Sequence, residues 1–197
     1  MRKSLVFLLI ATSLTFQGCA GGIVLGTLGA IGGGATAVLK DRRQADVQQL
    51  DSKVCAKISD TIAADSVLKN QTHVVPTCYN KVVLLTGEAP SQALRARAIE
   101  TAKLTSVRRI HNEIRLRQPL SPQAQEADRV LNAKVRTIIT TKHFDSASYT
   151  QLTVNDGVVF LTGMLTRDEA AQLENTIRYI DGVKRVVSLI EYVRLVP

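Results

Sequence analysis

Residues 82–87 read Val-Val-Leu-Leu-Thr-Gly, and residues 158–163 read Val-Val-Phe-Leu-Thr-Gly. The echo recurs at a spacing of 76 residues and runs on without a gap. Val107, Arg109, Ile110 and Ile114 fall opposite Val183, Arg185, Val186 and Ile190. Upstream, Leu50-x-x-Lys53-Val54 matches Leu131-x-x-Lys134-Val135 at a spacing of 81, which implies about five extra residues in the first copy. An internal repeat redefines the folding unit. Here the unit is about 70 residues and occurs twice, giving a tandem pair of small domains rather than a solenoid.

The second copy is the clearer of the two. Leu131, Val135, Ile138, Ile139 and Lys142 follow helical spacing, and Thr150, Leu152 and Val154 alternate as a half-buried strand. Asn155-Asp156-Gly157 tolerates positive φ and predicts a tight hairpin into the return strand from Val158 to Thr162. Thr166-x-x-Glu169 is a capping-box signature for a second helix, with Ala170, Leu173, Ile177 and Ile180 on its apolar face. Asp181-Gly182 breaks that helix, and a last strand runs through Val183, Val186 and Ile190. The fold class is α+β. Each copy reads α-β-β-α-β, with two helices on one face of a three-stranded mixed sheet. The first copy follows the same order, but Tyr79-Asn80-Lys81 lacks the hairpin glycine and predicts a looser turn. We expect the domains at 46–117 and 126–197, joined by a proline-stiffened linker at 118–125. Domains this small bury modest cores, so the two could also pack together.

Charge is distributed unevenly. The chain carries a formal +8. Residues 41–117 hold 13 Lys/Arg against 8 Asp/Glu, a net of +5, whereas residues 126–197 hold 9 of each. Arg95, Arg97, Lys103, Arg108, Arg109, Arg115 and Arg117 crowd one part of the first copy. Such a surface suits a polyanion, or it serves only solubility. With no Trp and few aromatics, stacking platforms for single-stranded nucleic acid are poor.

The N-terminus has the layout of a cleaved secretory signal: Arg2-Lys3, an apolar run from Leu5 to Leu14, then Phe16-Gln17-Gly18-Cys19. It also resembles the bacterial lipobox, which makes residues 1–18 a signal peptide and Cys19 the lipidated, palmitate-bearing first residue. Ala20 in place of Asp implies sorting to the outer membrane. The uncharged stretch 20–39 is long enough to cross a bilayer, but seven of its positions are glycine, which disfavours a helix. We read residues 19–45 as a tether. An uncleaved membrane anchor is the alternative reading.

With Cys19 acylated, Cys55 and Cys78 remain, in a compartment where disulfides persist. Cys55 sits at the margin of the stripe Val47, Leu50, Val54 and Ile58, while Cys78 shares a strand face with Val74 and Pro76. The two could meet in a bond closing a loop of about 24 residues, contributing roughly 3 kcal/mol. Two separate buried thiols are the other possibility.

The hallmarks Gly157-Val158-Val159-Phe160-Leu161-Thr162-Gly163 and Asp181-Gly182-Val183-Lys184-Arg185-Val186 resemble the BON domain (bacterial OsmY and nodulation domain). Two such domains behind a lipobox, with Asp41-Arg42-Arg43 ending a glycine-rich tether, resemble the dual-BON outer-membrane lipoproteins of Gram-negative bacteria. The first copy departs from the pattern at Lys81 and Ser106, where glycine is expected. The resemblance implies an outer-membrane, lipid-anchored protein facing the periplasm. It would bind anionic phospholipid and maintain the barrier rather than catalyse a reaction. It further implies that the first helix of the second domain meets the lipid. That helix offers Arg129, Lys134, Arg136 and Lys142 beside Val130 and Leu131, a basic and apolar mixture suited to an interface. Acids such as Asp156 and Glu174 are expected on its far side. Related proteins often place an aromatic near the start of the helix, where this chain has Val130. The first domain's arginines form a second candidate surface, for lipid, lipopolysaccharide phosphates or an acidic protein.

Nothing in the chain reads as a catalytic constellation. His73, His111 and His143 lack ligand-spaced partners for a metal, and there is no Cys-x-x-Cys, nucleophile elbow or phosphate-cradling loop. No enzyme, no cofactor and no nucleic-acid partner is expected. The alternative to lipid binding is an interaction module serving outer-membrane assembly proteins, such as a β-barrel assembly machine, with lipid contact incidental.

Overall fold

The computed structural model describes residues 42–142 and 144–194. The expected signal peptide, the lipidated Cys19, the tether as far as residue 41 and His143 lie outside them. All described residues belong to one compact unit. The first domain comprises α1 (Ala45–Ala64), a short α2 (Ser66–Gln71), β1 (His73–Tyr79), β2 (Val82–Ala89), α3 (Gln92–Lys103) and β3 (Arg109–Leu116). The second comprises α4 (Pro122–Thr141), a 3-10 turn (Asp145–Tyr149), β4 (Thr150–Asn155), β5 (Val158–Leu165), α5 (Arg167–Arg178) and β6 (Arg185–Tyr192). The α+β order read from the sequence holds, with α2 as an added turn in the first copy. Asp65 starts that turn by accepting hydrogen bonds from the Val67 and Leu68 amides.

Each sheet is mixed, in the orders β1-β2-β3 and β4-β5-β6. The first two strands of each pair antiparallel, and a helical crossover brings the third alongside in parallel. The repeat is carried in the register, where Val82 faces Arg109 and Val158 faces Arg185. The first helices follow a different spacing from the one the residue match suggests. Both α1 and α4 have 20 residues. Asp51 of α1 accepts from the amides of Asn80 and Lys81, while Asp128 of α4 accepts from those of Asp156 and Gly157. Asp51 is therefore equivalent to Asp128, at a spacing of 77 rather than 81. The match of Leu50 with Leu131 is one helical turn out, because i and i+4 share a helix face.

This contact also corrects the expectation of a loose first hairpin. Tyr79 pairs with Val82 across a two-residue turn in which Asn80 (φ 51°) and Lys81 (φ 61°) are both left-handed. The second hairpin has Asp156 (φ 50°) and Gly157 (φ 70°) in the same places. A lysine there costs roughly 1 kcal/mol against glycine, and the paired hydrogen bonds to the buried Asp51 carboxylate hold the turn shut. The linker is also shorter than expected. Ser121 caps α4 by accepting from the Ala124 amide, and Pro122 occupies the first turn, so the helix begins inside 118–125.

Two apolar cores lie between each sheet and its helices. Ile58, Leu68, Val83, Leu85 and Ala98 build one, and Val135, Ile139, Val159, Leu161 and Leu173 the other. The opposite faces of the sheets meet. Leu84, Val158 and Phe160 form a third cluster there, with Val187 and Leu189 at its margin. The join has approximate two-fold character. Thr77 and Thr153, equivalent positions, share a hydrogen bond of 2.7 Å. The Asn80 side-chain amide donates to Glu191 at 2.6 Å, and at the equivalent positions Arg115 donates to Asp156 at 2.7 Å. Buried Glu88 accepts from Asn155 of the second domain. Burial raises the pKa of its carboxyl, but hydrogen bonds from His73, Asn155 and the Leu120 amide outweigh that and hold it low. Cys55 and Cys78 form a disulfide with a Cα–Cα distance of 5.7 Å, fastening α1 to β1.

Candidate functional site

The six residues of α4 and its C-cap expected to meet lipid do not form one patch. Leu131 is 8% exposed and packs in the core with Val135 and Ile139. It supplies a floor rather than an inserting side chain, since the apolar stripe it belongs to already faces the sheet. Val130, 61% exposed, is the apolar residue that points outward. Lys134 reaches over the α5–β6 turn, its Nζ donating to the Asp181 carbonyl at 2.8 Å and carboxylate at 3.2 Å. Arg129 pairs with Glu126 one turn back at 2.8 Å. Arg136 is exposed and faces, with Arg129, a second cleft bounded by His73, Val75 and Leu152. Lys142 caps the far end of α4.

Val130, Leu131 and Lys134 border an open groove of about 540 Å³ between α4 and two turns. Ala127, Gly157 and Gly182 complete its floor and walls. Both glycines have positive φ, and a Cβ at Gly182 would lie 3.3 Å from Leu131, so side chains there would strain the turns and crowd the groove. Asp156 stands at the rim rather than on the far side of the helix. Its backbone amide donates to Asp128 at 2.7 Å. Its carboxylate accepts from Lys184 at 2.7 Å, Arg115 at 2.7 Å and Arg117 at 2.9 Å. The Lys184 hydrogen bond is the main reason its pKa is lowered. Partial burial opposes this, and the charges of Arg117 and Arg115 reinforce it. Two arginines from the basic first domain thus bond the carboxylate at the rim of the second domain's groove, without lining the groove themselves. The sequence holds both the charge excess and the helix, but only the docking of the sheets brings them together.

Two further groups escaped the sequence reading. Arg42 stacks on Tyr149 at 4.0 Å and donates to Glu169 and to the Met164 carbonyl, all in the second domain. Its neighbour Arg43 stacks on Tyr79 at 4.1 Å and pairs with Asp51 in the first. The segment entering α1 therefore grips both domains. The Arg42 hydrogen bond, only partly opposed by burial and aided by the Thr166 amide, brings the Glu169 pKa down to about 2. Among the described residues, no group of three or more His, Cys, Asp or Glu could hold a metal ion, and no helix is long and apolar enough to cross a membrane.

This duplicated fold defines a class. The BON domain profile matches residues 50–118 and 127–194, and the chain belongs to that family. It is similar to the outer membrane lipoprotein DolP of Haemophilus influenzae, 28% identical over 193 residues, 96% of each chain. It is also similar to a 21 kDa hemolysin of Actinobacillus pleuropneumoniae, 26% identical over 155 residues, 78% of this chain and 80% of that one. Among solved structures, CdsD, a structural protein of the type III secretion system of Chlamydia trachomatis, aligns at a TM-score of 0.29 and 11% identity. That alignment covers 73% of this chain and 63% of the other, and carries no argument here.

Proposed function

We propose that this chain is an outer-membrane lipoprotein, acylated at Cys19 and facing the periplasm. Its second BON domain binds anionic phospholipid along α4 and thereby helps maintain the outer membrane. The observation that carries the reading is Val130, an exposed apolar side chain in mid-helix beside Lys134 and above the groove floored by Leu131. An interfacial helix works in this way, with basic groups meeting phosphate while an apolar edge dips below it. Arg129, Arg136 and Lys142 extend the positive character along the helix to its end. The outer-membrane lipoprotein among the relatives supports the same address.

Flotation of the chain from Val38 onward with vesicles tests this, since that unit contains both cores without the acyl anchor. Float-up is expected with phosphatidylglycerol and not with phosphatidylcholine. Each basic residue near an anionic surface contributes about 1 kcal/mol, so K134E/R136E should lose at least about 30-fold in affinity. Absence of float-up at low salt would overturn the reading and leave protein interaction in envelope assembly as the function to pursue.

A further inference from the structure

We propose that Arg115, Arg117 and Lys184, gathered round Asp156 at the rim of the α4 groove, bind the phosphodiester of an anionic phospholipid head group, so that the first domain supplies cations to the second domain's membrane face. This rests on the lipid-binding reading above and adds a head-group site to it.

Three cations converge on one carboxylate, each through a single nitrogen. All keep access to water, with side chains 31%, 39% and 66% exposed for Arg115, Arg117 and Lys184. An arginine has five N–H donors and a lysine three, so most remain for a ligand. One carboxylate balances one cation, which leaves an excess of two. The neighbouring acids have partners of their own. Glu126 is matched by Arg129 and Asp181 by Lys134, while Asp128 is spent on the hairpin amides. Counting Asp128 and also Glu88, which lies opposite Arg115 in the β2–β3 register and accepts from Asn155, brings five carboxylates against these five cations, so the excess is local to Asp156.

Docking the two sheets does not require this excess. At the equivalent corner of the join, Glu191 is bonded by one cation, Arg108, and by the neutral Asn80 side-chain amide, with the charge of Arg109 nearby. The second corner therefore carries more positive charge than closing the interface needs. Guanidinium forks match phosphate oxygens, which favours a phosphate over a diffuse anion. The groove beside the cluster is floored by Ala127 and Leu131 and edged by Val130, a surface for the apolar part of an amphiphile rather than for a free ion.

The test uses two variants of opposite sign in the unit from Val38 onward. R115Q/R117Q removes two of the cations and should lower affinity for phosphatidylglycerol vesicles about 25-fold, at roughly fivefold per basic residue. D156N removes the competing carboxylate. Asparagine accepts the left-handed backbone at this position, and the variant should raise affinity severalfold. Weakened docking could explain a loss in the first variant but not a gain in the second. Unchanged or reduced affinity in D156N would show that the cluster only joins the domains. If that occurs while K134E/R136E abolishes binding, the lipid-binding reading stands and the head-group site falls. Inorganic phosphate that shifts the arginine side-chain NMR signals and displaces the protein from vesicles at millimolar concentration would identify a free-anion site and overturn the lipid assignment.

Discussion

Replacing Phe160 by alanine should uncouple the two domains without unfolding either. The ring is 1% exposed and belongs to the cluster between the sheets, not to the cores beneath the helices. A buried Phe→Ala change costs about 3–5 kcal/mol. Among the described residues, Leu84 and Val158 are the only other buried apolar residues in that cluster, so this loss is a large share of what holds the sheets together. The chain has no Trp and four Tyr. Tyr79 and Tyr149 meet across the join, the Tyr79 hydroxyl donating to the Tyr149 carbonyl at 2.7 Å, whereas Tyr179 and Tyr192 are exposed. Tyrosine fluorescence therefore reports on the interface, and far-ultraviolet circular dichroism on the domains. In urea, wild type should give one coincident transition by both probes. In F160A the fluorescence change should come first, followed by a later loss of circular dichroism with a smaller m-value. Coincident probes and a destabilisation below about 1 kcal/mol would refute the idea that this ring seals the join.

Two further predictions concern stability. Breaking the Cys55–Cys78 bond, by C55S/C78S, should cost about 3 kcal/mol for a loop of this length and lower Tm by roughly 10 °C; a shift under about 3 °C would mean that the α1–β1 packing is sufficient without it. The Arg42–Glu169 pair should make stability fall in acid. Its carboxyl pKa lies at about 2 against an ordinary 4.5, so the contribution is complete above pH 4.5 and is lost as pH falls through about 2. The difference in stability between wild type and R42Q, followed by denaturation from pH 6 to pH 2, should shrink across that window; a constant difference would assign it to the stacking on Tyr149 instead.

The topology was legible because the Val-Val-x-Leu-Thr-Gly strand occurs in both copies and the second adds a capping box and a hairpin glycine. Both strands nevertheless run two residues past the glycine, to Ala89 and Leu165, rather than ending at the threonine. The face-to-face pairing of the sheets has a weaker signal. Val82 to Leu85 and Val158 to Leu161 are uninterrupted apolar runs, which suit strands buried on both faces rather than one. Read that way, Leu84 and Phe160 point to a second packing surface. The register of the first helices was misread because leucine and valine recur every turn. The aspartates at 51 and 128 are less ambiguous, yet their role shows only once the hairpins lie above them. Leu131 could serve either the core stripe or the lipid face by periodicity, and the stripe claims it. No sequence pattern connects Arg115 and Arg117 to Asp156, because their meeting depends on how the two copies dock.

The differences between the copies account for why one of them carries the groove. Lys53 stands where the second domain has Val130, Lys81 where it has Gly157, and Ser106 where it has Gly182. In the first domain these positions therefore place side chains where the second domain's glycines leave the floor bare. A lysine also replaces Val130, the exposed apolar residue at the groove's edge. The same replacements made the first copy the poorer match to the family pattern. Charge diverges in the opposite sense, with the first copy gaining basic residues. Approximate two-fold docking then puts Arg115 and Arg117 at Asp156, beside the groove of the partner domain, and leaves Arg108 with Glu191 at the other corner. Duplication followed by this exchange divides the work: one copy keeps the cavity, and the other brings charge to its edge. Separated domains would then bind anionic membranes more weakly than the intact pair, even with α4 unaltered.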